Sequence, residues 1–452
     1  MIDFPNSPTV GQQFTAAGVT WVWDGTKWTA SGLGTTYLPL AGGTMTGPIT
    51  GIPSGFRVDG AAGTARTAMI GRTAGSNRWD IVLGNGVAES GGNAGSDFRI
   101  DAFADDGSTI VAQPIIITRS TGQVTISNLN APGVIGDNRI INGDMRIDQR
   151  WNGASGTTQT YTVDRWAYTN STAPTARGTW QRQLVGPPGF PYAWAYTSSS
   201  AYTPLAADTF YLYQPIEADM VSDFAWGTSG AQPVTLSFWV NCSLTGTFGG
   251  AIATGVAGSA YPFTYSIPTA NTWTKIIITI PAPAGGTWVM NGNAAGINLF
   301  FDLGSGANYR APANTWIYSG NYTAANGGVS VVATNAAKIY FTGVKLEVGS
   351  IATPYNRQTM AKSLADCQRY YQLYSSQIVG GYGVAGAGLY ANFVYQTAMR
   401  ASPTVTPSSI AYNNASNVTI NNIAPNYARL SVAITAPGTG YATYNATFDA
   451  EL

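Results

Sequence analysis

The chain has 452 residues, of which 44% are hydrophobic but only 10% charged, against roughly 25% charged residues in an ordinary soluble domain. Its 22 basic and 22 acidic residues cancel and form no basic run, which excludes the clustered positive surface that duplex nucleic acid requires. Histidine is absent, so Ser–His–Asp and Cys–His nucleophilic sites and His-bearing zinc sites are excluded by inventory.

At about 100–200 residues per domain the length implies three or four domains. The 54 glycines and 24 prolines are scattered throughout and separate short runs of alternating apolar residues. That pattern predicts an all-β chain of sandwiches or barrels. Residues 1–32 read as a hairpin module: Val19-Thr20-Trp21-Val22-Trp23 enters the turn signal Asp24-Gly25 and leaves through Lys27-Trp28. Phe4, Phe14, Trp21, Trp23 and Trp28 are many aromatic rings for so small a module. They form a miniature core, a surface that docks onto a larger particle, or both. The opening MIDFPNSPTVGQQF has no basic or apolar signal region, so no signal peptide is expected. No run of ~20 apolar residues predicts membrane insertion.

Residues 33–54 contain Tyr37-Leu38-Pro39-Leu40-Ala41-Gly42-Gly43-Thr44-Met45-Thr46-Gly47-Pro48-Ile49. Leu38, Leu40, Met45 and Ile49 are too few for a core in one copy, whereas three copies around an axis would bury them together, with glycines permitting close backbone approach. Residues 55–130 read as strands, with Asp105-Asp106-Gly107 turning between 98–103 and 109–117 and Ser120-Thr121-Gly122 turning again.

Residues 131–358 open with Asn138-Arg139-Ile140-Ile141-Asn142-Gly143-Asp144-Met145-Arg146-Ile147-Asp148-Gln149-Arg150 and continue through Tyr161-Thr162-Val163-Asp164-Arg165-Trp166. Strands are predicted at 234–240 and 275–280, and the segment closes with Ile339-Tyr340-Phe341-Thr342-Gly343-Val344-Lys345-Leu346-Glu347-Val348. First and last strands are expected to pair in one sheet. Trp180, Trp194, Tyr196, Tyr202, Tyr211 and Tyr213 crowd between Asn170 and Gln214. Flat aromatic faces and neutral amides are what sugars require, so Trp180, Tyr192, Trp194, Tyr196 and Tyr213 are the candidate glycan contacts. Tyr192, Trp194 and Tyr196 share one strand face, which lies either in the core or along a groove. Asp144, Asp148 and Asp164 would be the carboxylates of a hydrolase, but Asp144 after Asn142-Gly143 is as easily a turn residue and Asp164-Arg165 reads as an ion pair, so no catalytic residue is expected. No cofactor and no metal is expected. Cys242 and Cys367 are expected as buried free thiols. Residues 359–452 begin with one predicted helix, 359–370, carrying Met360, Leu364 and Cys367 on one stripe, and continue as a compact distal β-domain.

Several of these stretches resemble the fibre proteins of tailed bacteriophages. The segment 37–49 resembles the LPLxGGTMTGxI fibre repeat. The string SNRW…ESGGNAGSDF…ITRSTGQVTI is similar to a β-rich module of fibre shafts and neck appendages. The segments at 138–150, 161–166 and 339–355 resemble a carbohydrate-binding-module-like jelly roll of phage tail proteins, and CQRYYQLY…YQTAMRASPTVTP resembles the region that follows it. The resemblance implies a short trimeric shaft, because the repeat occurs once, followed by a jelly-roll sandwich and a distal β-domain. It implies a homotrimer assembled in the host cytoplasm and carried in the virion. Its N-terminus would anchor to baseplate, tail, neck or capsid proteins, and its distal domains would bind host surface polysaccharide. A head, neck or collar fibre without a receptor role is the alternative, and a polysaccharide-cleaving tailspike is a further one. The latter usually carries a long parallel β-helix, and no coil period occurs here.

Overall fold

Alternating apolar and polar side chains favour extended chain wherever one face can be buried. The computed structural model describes residues 2–16, 18–31, 63–126, 136–170, 177–256 and 258–452. With 45% strand and 4% helix, it confirms the all-β class. The chain divides into two compact units, Met1–Asn130 and Ala131–Leu452. Leu38, Leu40, Met45 and Ile49, with the repeat that holds them, lie outside the described residues.

In the first unit, strands Gln13–Ala16, Val19–Trp23 and Trp28–Ser31 form an antiparallel sheet. The Asp24 carboxylate closes its turn by accepting the backbone N–H groups of Thr26 at 2.8 Å and Lys27 at 2.9 Å. Phe4 stacks on Trp28 at 5.3 Å between centroids and meets Trp21 edge-on at 5.4 Å, while Trp23 lies 5.7 Å from Trp28. Phe4, Phe14 and the three tryptophans are half-buried against one another, so they do form a miniature core. A second antiparallel sheet runs as a meander through Thr67–Thr73, Ser76–Val82, Phe98–Phe103, Ile110–Ile117 and Val124–Ile126. The expected turn at Asp106 is present. Its carboxylate accepts N–H bonds from Ser108 and Thr109, which hold its pKa well below the usual range.

The second unit is built on a two-sheet sandwich. One sheet orders Ala260–Ile267, Gly246–Thr254, Ala295–Asp302, Tyr211–Glu217, Ala167–Thr169 and Thr160–Tyr161. The other orders Gly178–Gln183, Ala193–Ser198, Lys338–Val348, Val234–Cys242 and Thr274–Ile280. Their facing sides supply one core, with Trp166, Trp194, Leu212, Phe238, Phe301 and Phe341 all fully buried. First and last strands do not pair as expected, since Thr160–Tyr161 lies in the first sheet and Lys338–Val348 in the second, and the opening segment 138–150 forms no strand. Instead it lies beside the closing strand through Arg139 N–H to the Leu346 carbonyl and Val344 N–H to the Gly143 carbonyl, each 2.9 Å. Its remaining groups serve turns: the side-chain oxygen of Asn142 accepts the N–H of Ile147, and its Nδ2 donates back to the Ile147 carbonyl.

Helix Met360–Gln368 follows, N-capped by Thr359, whose hydroxyl accepts the N–H of Lys362. The stripe it buries holds Ser363 and Cys367, while Met360 is 52% exposed. The inward face is partly polar because Ser363 takes a 2.9 Å hydrogen bond from Arg146 of the sandwich. A distal sandwich then pairs Tyr371–Gly383, Gly438–Asp449 and Thr404–Asn413 in one sheet, and Gly388–Val394, Tyr427–Ile434 and Ala415–Asn421 in the other.

Ion pairs, some of them buried, join the two sandwiches. Arg369 holds Glu217 through both carboxylate oxygens, at 2.8 and 2.7 Å. Arg165 pairs with Glu451 and lies 3.5 Å from the Tyr370 ring centroid. Arg150 reaches Asp449 at 3.1 Å and Glu451 at 3.2 Å. Arg400, from the Met399–Val405 motif, donates to the carbonyls of Asn293 and Ala450.

Candidate functional site

Strand Tyr211–Glu217 sends Leu212 into the core and Tyr211 and Tyr213 to the opposite face. The register places Tyr213 opposite Phe300 and Tyr211 opposite Asp302, and the next strand sets Ala251 opposite Phe300 and Ala253 opposite Asn298. The outer face of the six-stranded sheet therefore carries an aromatic cluster. Tyr213 stacks on Phe300 at 5.6 Å and 19°, and Tyr211 meets Phe300 edge-on at 5.0 Å.

Beside this cluster lies a cleft of 320 Å³, within the size range of small-ligand sites. Tyr211, Phe300 and Asn298 form its floor. Thr254, Gly255, Val256, Gly258 and Ser259 make one wall, and Tyr309 with the loop 320–323 makes the other. Each wall is tied down by backbone bonds. Thr254 N–H donates to the Ser259 carbonyl and Gly255 N–H to that of Gly296, while Thr323 N–H donates to the Tyr309 carbonyl. A short parallel pairing of Arg310–Ala311 with Ala324–Ala325 anchors the second wall. Gly320 adopts a left-handed φ of +83°, and a Cβ there would stand 2.9 Å from the Tyr322 ring. Any other residue would displace that tyrosine.

The cleft presents uncharged polar groups. Asn298 donates through Nδ2 to the Thr254 carbonyl at 3.4 Å, and its Oδ1 meets no protein donor among the described residues. Thr323 is buried, and its Oγ1 has no protein partner among the described residues. Such a hydroxyl costs about 1–3 kcal/mol unless something occupies it. Burial pushes the Tyr211 hydroxyl up to about 12 and raises that of Tyr213, so both remain protonated near neutrality.

Of the five residues expected to touch sugar, Tyr213 alone flanks this cleft. Trp180, Trp194 and Tyr196 are corrected to core residues, with 1%, 0% and 0% exposure. The strand Ala193–Ser198 is internal to its sheet, between Gly178–Gln183 and Lys338–Val348, and its aromatic face looks inward. Trp194 donates to the Thr162 hydroxyl at 2.9 Å and Trp180 to the Thr158 carbonyl at 3.0 Å, so their polar ends are satisfied internally. Tyr192 is half-buried beneath the Arg182 guanidinium, 4.9 Å from its ring centroid. Tyr309, Asn321 and Tyr322 were missed. They sit in a loop without strand periodicity, and their one sequence signal is an amide beside an aromatic residue following Gly320.

The three carboxylates considered for hydrolysis serve the fold. Asp144 pairs with Arg146 at 2.6 Å and Arg357 at 3.5 Å. Asp148 accepts the N–H groups of Trp151 and Gly153. Asp164 accepts from the backbone and side chain of Gln149. Cys242 and Cys367 are free and buried, as expected.

No family model and no curated protein matches the chain. Among solved structures it is similar to the enzymatically active domain of tailspike protein 4 from bacteriophage CBA120, at 15% identity over 47% of this chain and 21% of that one, with a TM-score of 0.26. The chain thus spans about a fifth of that structure's length. A putative sugar-binding protein from Bacteroides thetaiotaomicron aligns at 12% identity over 47% of this chain and 100% of that one, with a TM-score of 0.30. A family 11 carbohydrate-binding module from Clostridium thermocellum, in complex with a mixed-linked tetrasaccharide, aligns at 11% identity over 49% and 100%, with a TM-score of 0.21. At these identities and TM-scores, none of the three bears on the site or on what it does.

Proposed function

We propose that this chain is a structural fibre subunit of a tailed bacteriophage that anchors by its N-terminal module and binds host-surface glycan in the cleft over Tyr211 and Phe300. The observation that carries the glycan reading is the composition of that cleft. Tyrosine and phenylalanine rings suit the C–H faces of a pyranose, and amide and hydroxyl groups such as those of Asn298, Asn321 and Ser259 suit its hydroxyls. The fibre reading is supported by the repeat at 37–49 and the shaft-like string that follows it.

Copies of the chain associate as a homotrimer in this reading. Ile378 and Tyr382 on one sheet of the distal sandwich, and Tyr390 and Val394 on the other, are exposed apolar side chains of the kind that association covers. Three copies would make weak sugar binding useful through multivalency. No catalytic role is assigned, since Asp144, Asp148 and Asp164 are held in ion pairs and turns.

Adsorption tests the reading. The purified chain should bind surface polysaccharide extracted from the host bacterium, release no reducing ends from it, and sediment as a trimer. Labelled antibody should mark fibres on the virion. Failure to bind any extracted polysaccharide would remove the receptor role, and a monomer at micromolar concentration would remove the trimer.

A further inference from the structure

We propose that the cleft selects uncharged sugar units and rejects those bearing a carboxylate or phosphate, an inference that rests on the glycan reading above. Among the described residues, no Asp, Glu, Lys or Arg lines the cleft. Each nitrogen of the neighbouring cation, Arg310, already donates to the protein. Its Nε donates to the Ser305 carbonyl, Nη1 to the Ala325 carbonyl and Nη2 to Asp302 at 2.7 Å. Asp302 faces Tyr211 across the strand pair but is 1% exposed and neutralised by that same arginine. Burial pushes the Tyr211 hydroxyl of the floor up to about 12, so it stays uncharged near neutrality.

An anionic group entering the cleft would lose hydration with no cation to replace it, which is strongly unfavourable. A sugar hydroxyl or acetamido group meets the opposite situation. The Asn298 carboxamide oxygen, on the cleft floor, is left to accept from a neutral donor such as a sugar hydroxyl. Selection by absence of charge is specificity through an unfavourable alternative.

The test is calorimetric titration of the full chain with two sets of probes. The neutral set comprises gluco-, galacto- and manno-configured hexasaccharides and N-acetylglucosamine oligomers; the acidic set comprises oligogalacturonate and oligosialate. At least one neutral probe should bind about tenfold or more tighter than either acidic probe. Its affinity should change by less than about twofold between about 50 and 500 mM salt. The rim variants Tyr322→Ala and Asn321→Ala, checked by melting temperature to be folded, should both weaken it. Preference for an acidic probe that is lost in these variants overturns the charge selectivity but leaves a glycan site in place. Binding to no probe, or binding untouched by two folded rim variants, overturns the glycan reading itself.

Discussion

Tyr213 and Phe300 stack with centroids 5.6 Å apart on the outer face of the six-stranded sheet, directly opposite each other across two strands. Phe300 is 8% exposed and shares its edge with Tyr211, the half-buried ring that reaches the cleft. Tyr213 therefore braces a floor on which Tyr211 acts. Tyr211→Ala should lower affinity for a bound glycan about tenfold or more, whereas Tyr213→Leu should lower it only a few-fold, because the support is partly kept. Calorimetric titration of both variants against one oligosaccharide measures the difference.

Trp194 behaves differently because it belongs to the core. It is fully buried and bonded to Thr162. Trp194→Ala should cost about 3–5 kcal/mol of unfolding free energy through the cavity it leaves. Glycan affinity of the fraction that remains folded should be unchanged. Urea denaturation with a parallel binding titration separates the two effects.

Arg165 and Glu451 form a nearly fully buried pair that fastens the chain's end to the first sandwich. Arg165→Ala leaves Glu451 with Arg150 alone. It should destabilise the second unit by about 3–5 kcal/mol. Limited proteolysis should then cut between the sandwiches, around 350–360, faster than in the unaltered chain.

Asp164 supplies a pH dependence. Burial, only partly offset by Arg150, raises its pKa to about 6 from 3.8. The folded state therefore holds this proton more tightly than the unfolded state does. Its contribution to stability is neutral below about pH 4, falls as pH rises to about 6, and is fully unfavourable above that, by on the order of 3 kcal/mol. Unfolding free energies from pH 4 to 7 should fall more steeply in the unaltered chain than in Asp164→Asn. Parallel curves would show that another group carries the slope.

Burial also pushes the Cys242 thiol up to about 11 and that of Cys367 well above its usual value. Neither should react with iodoacetamide at neutral pH until the chain is denatured. Labelling followed by mass spectrometry reads this directly.

Local features were legible from residues alone. Asp24 and Asp106 each bond to backbone within three positions, so turn chemistry sufficed to place them. The face of 192–196 was not legible. Alternation shows that Trp194 and Tyr196 point the same way, but only the flanking strands, about 15 residues before and some 145 after in the chain, make that way inward. The same limit hid the cleft. Its floor and walls come from four stretches, around 211, 253–259, 298–300 and 309–323, that meet only through sheet order. The expected pairing of first and last strands failed because the turns of 138–150, not a strand, pack beside the closing strand.

The central claim is that glycan binds over Tyr211 and Phe300, and a crystal structure of the chain with a bound neutral oligosaccharide tests it most directly. The account predicts a sugar ring in contact with Tyr211 and Tyr322, with hydroxyls bonded to Asn298 and Asn321. A sugar bound instead on the distal sandwich or on the five-stranded sheet would contradict it.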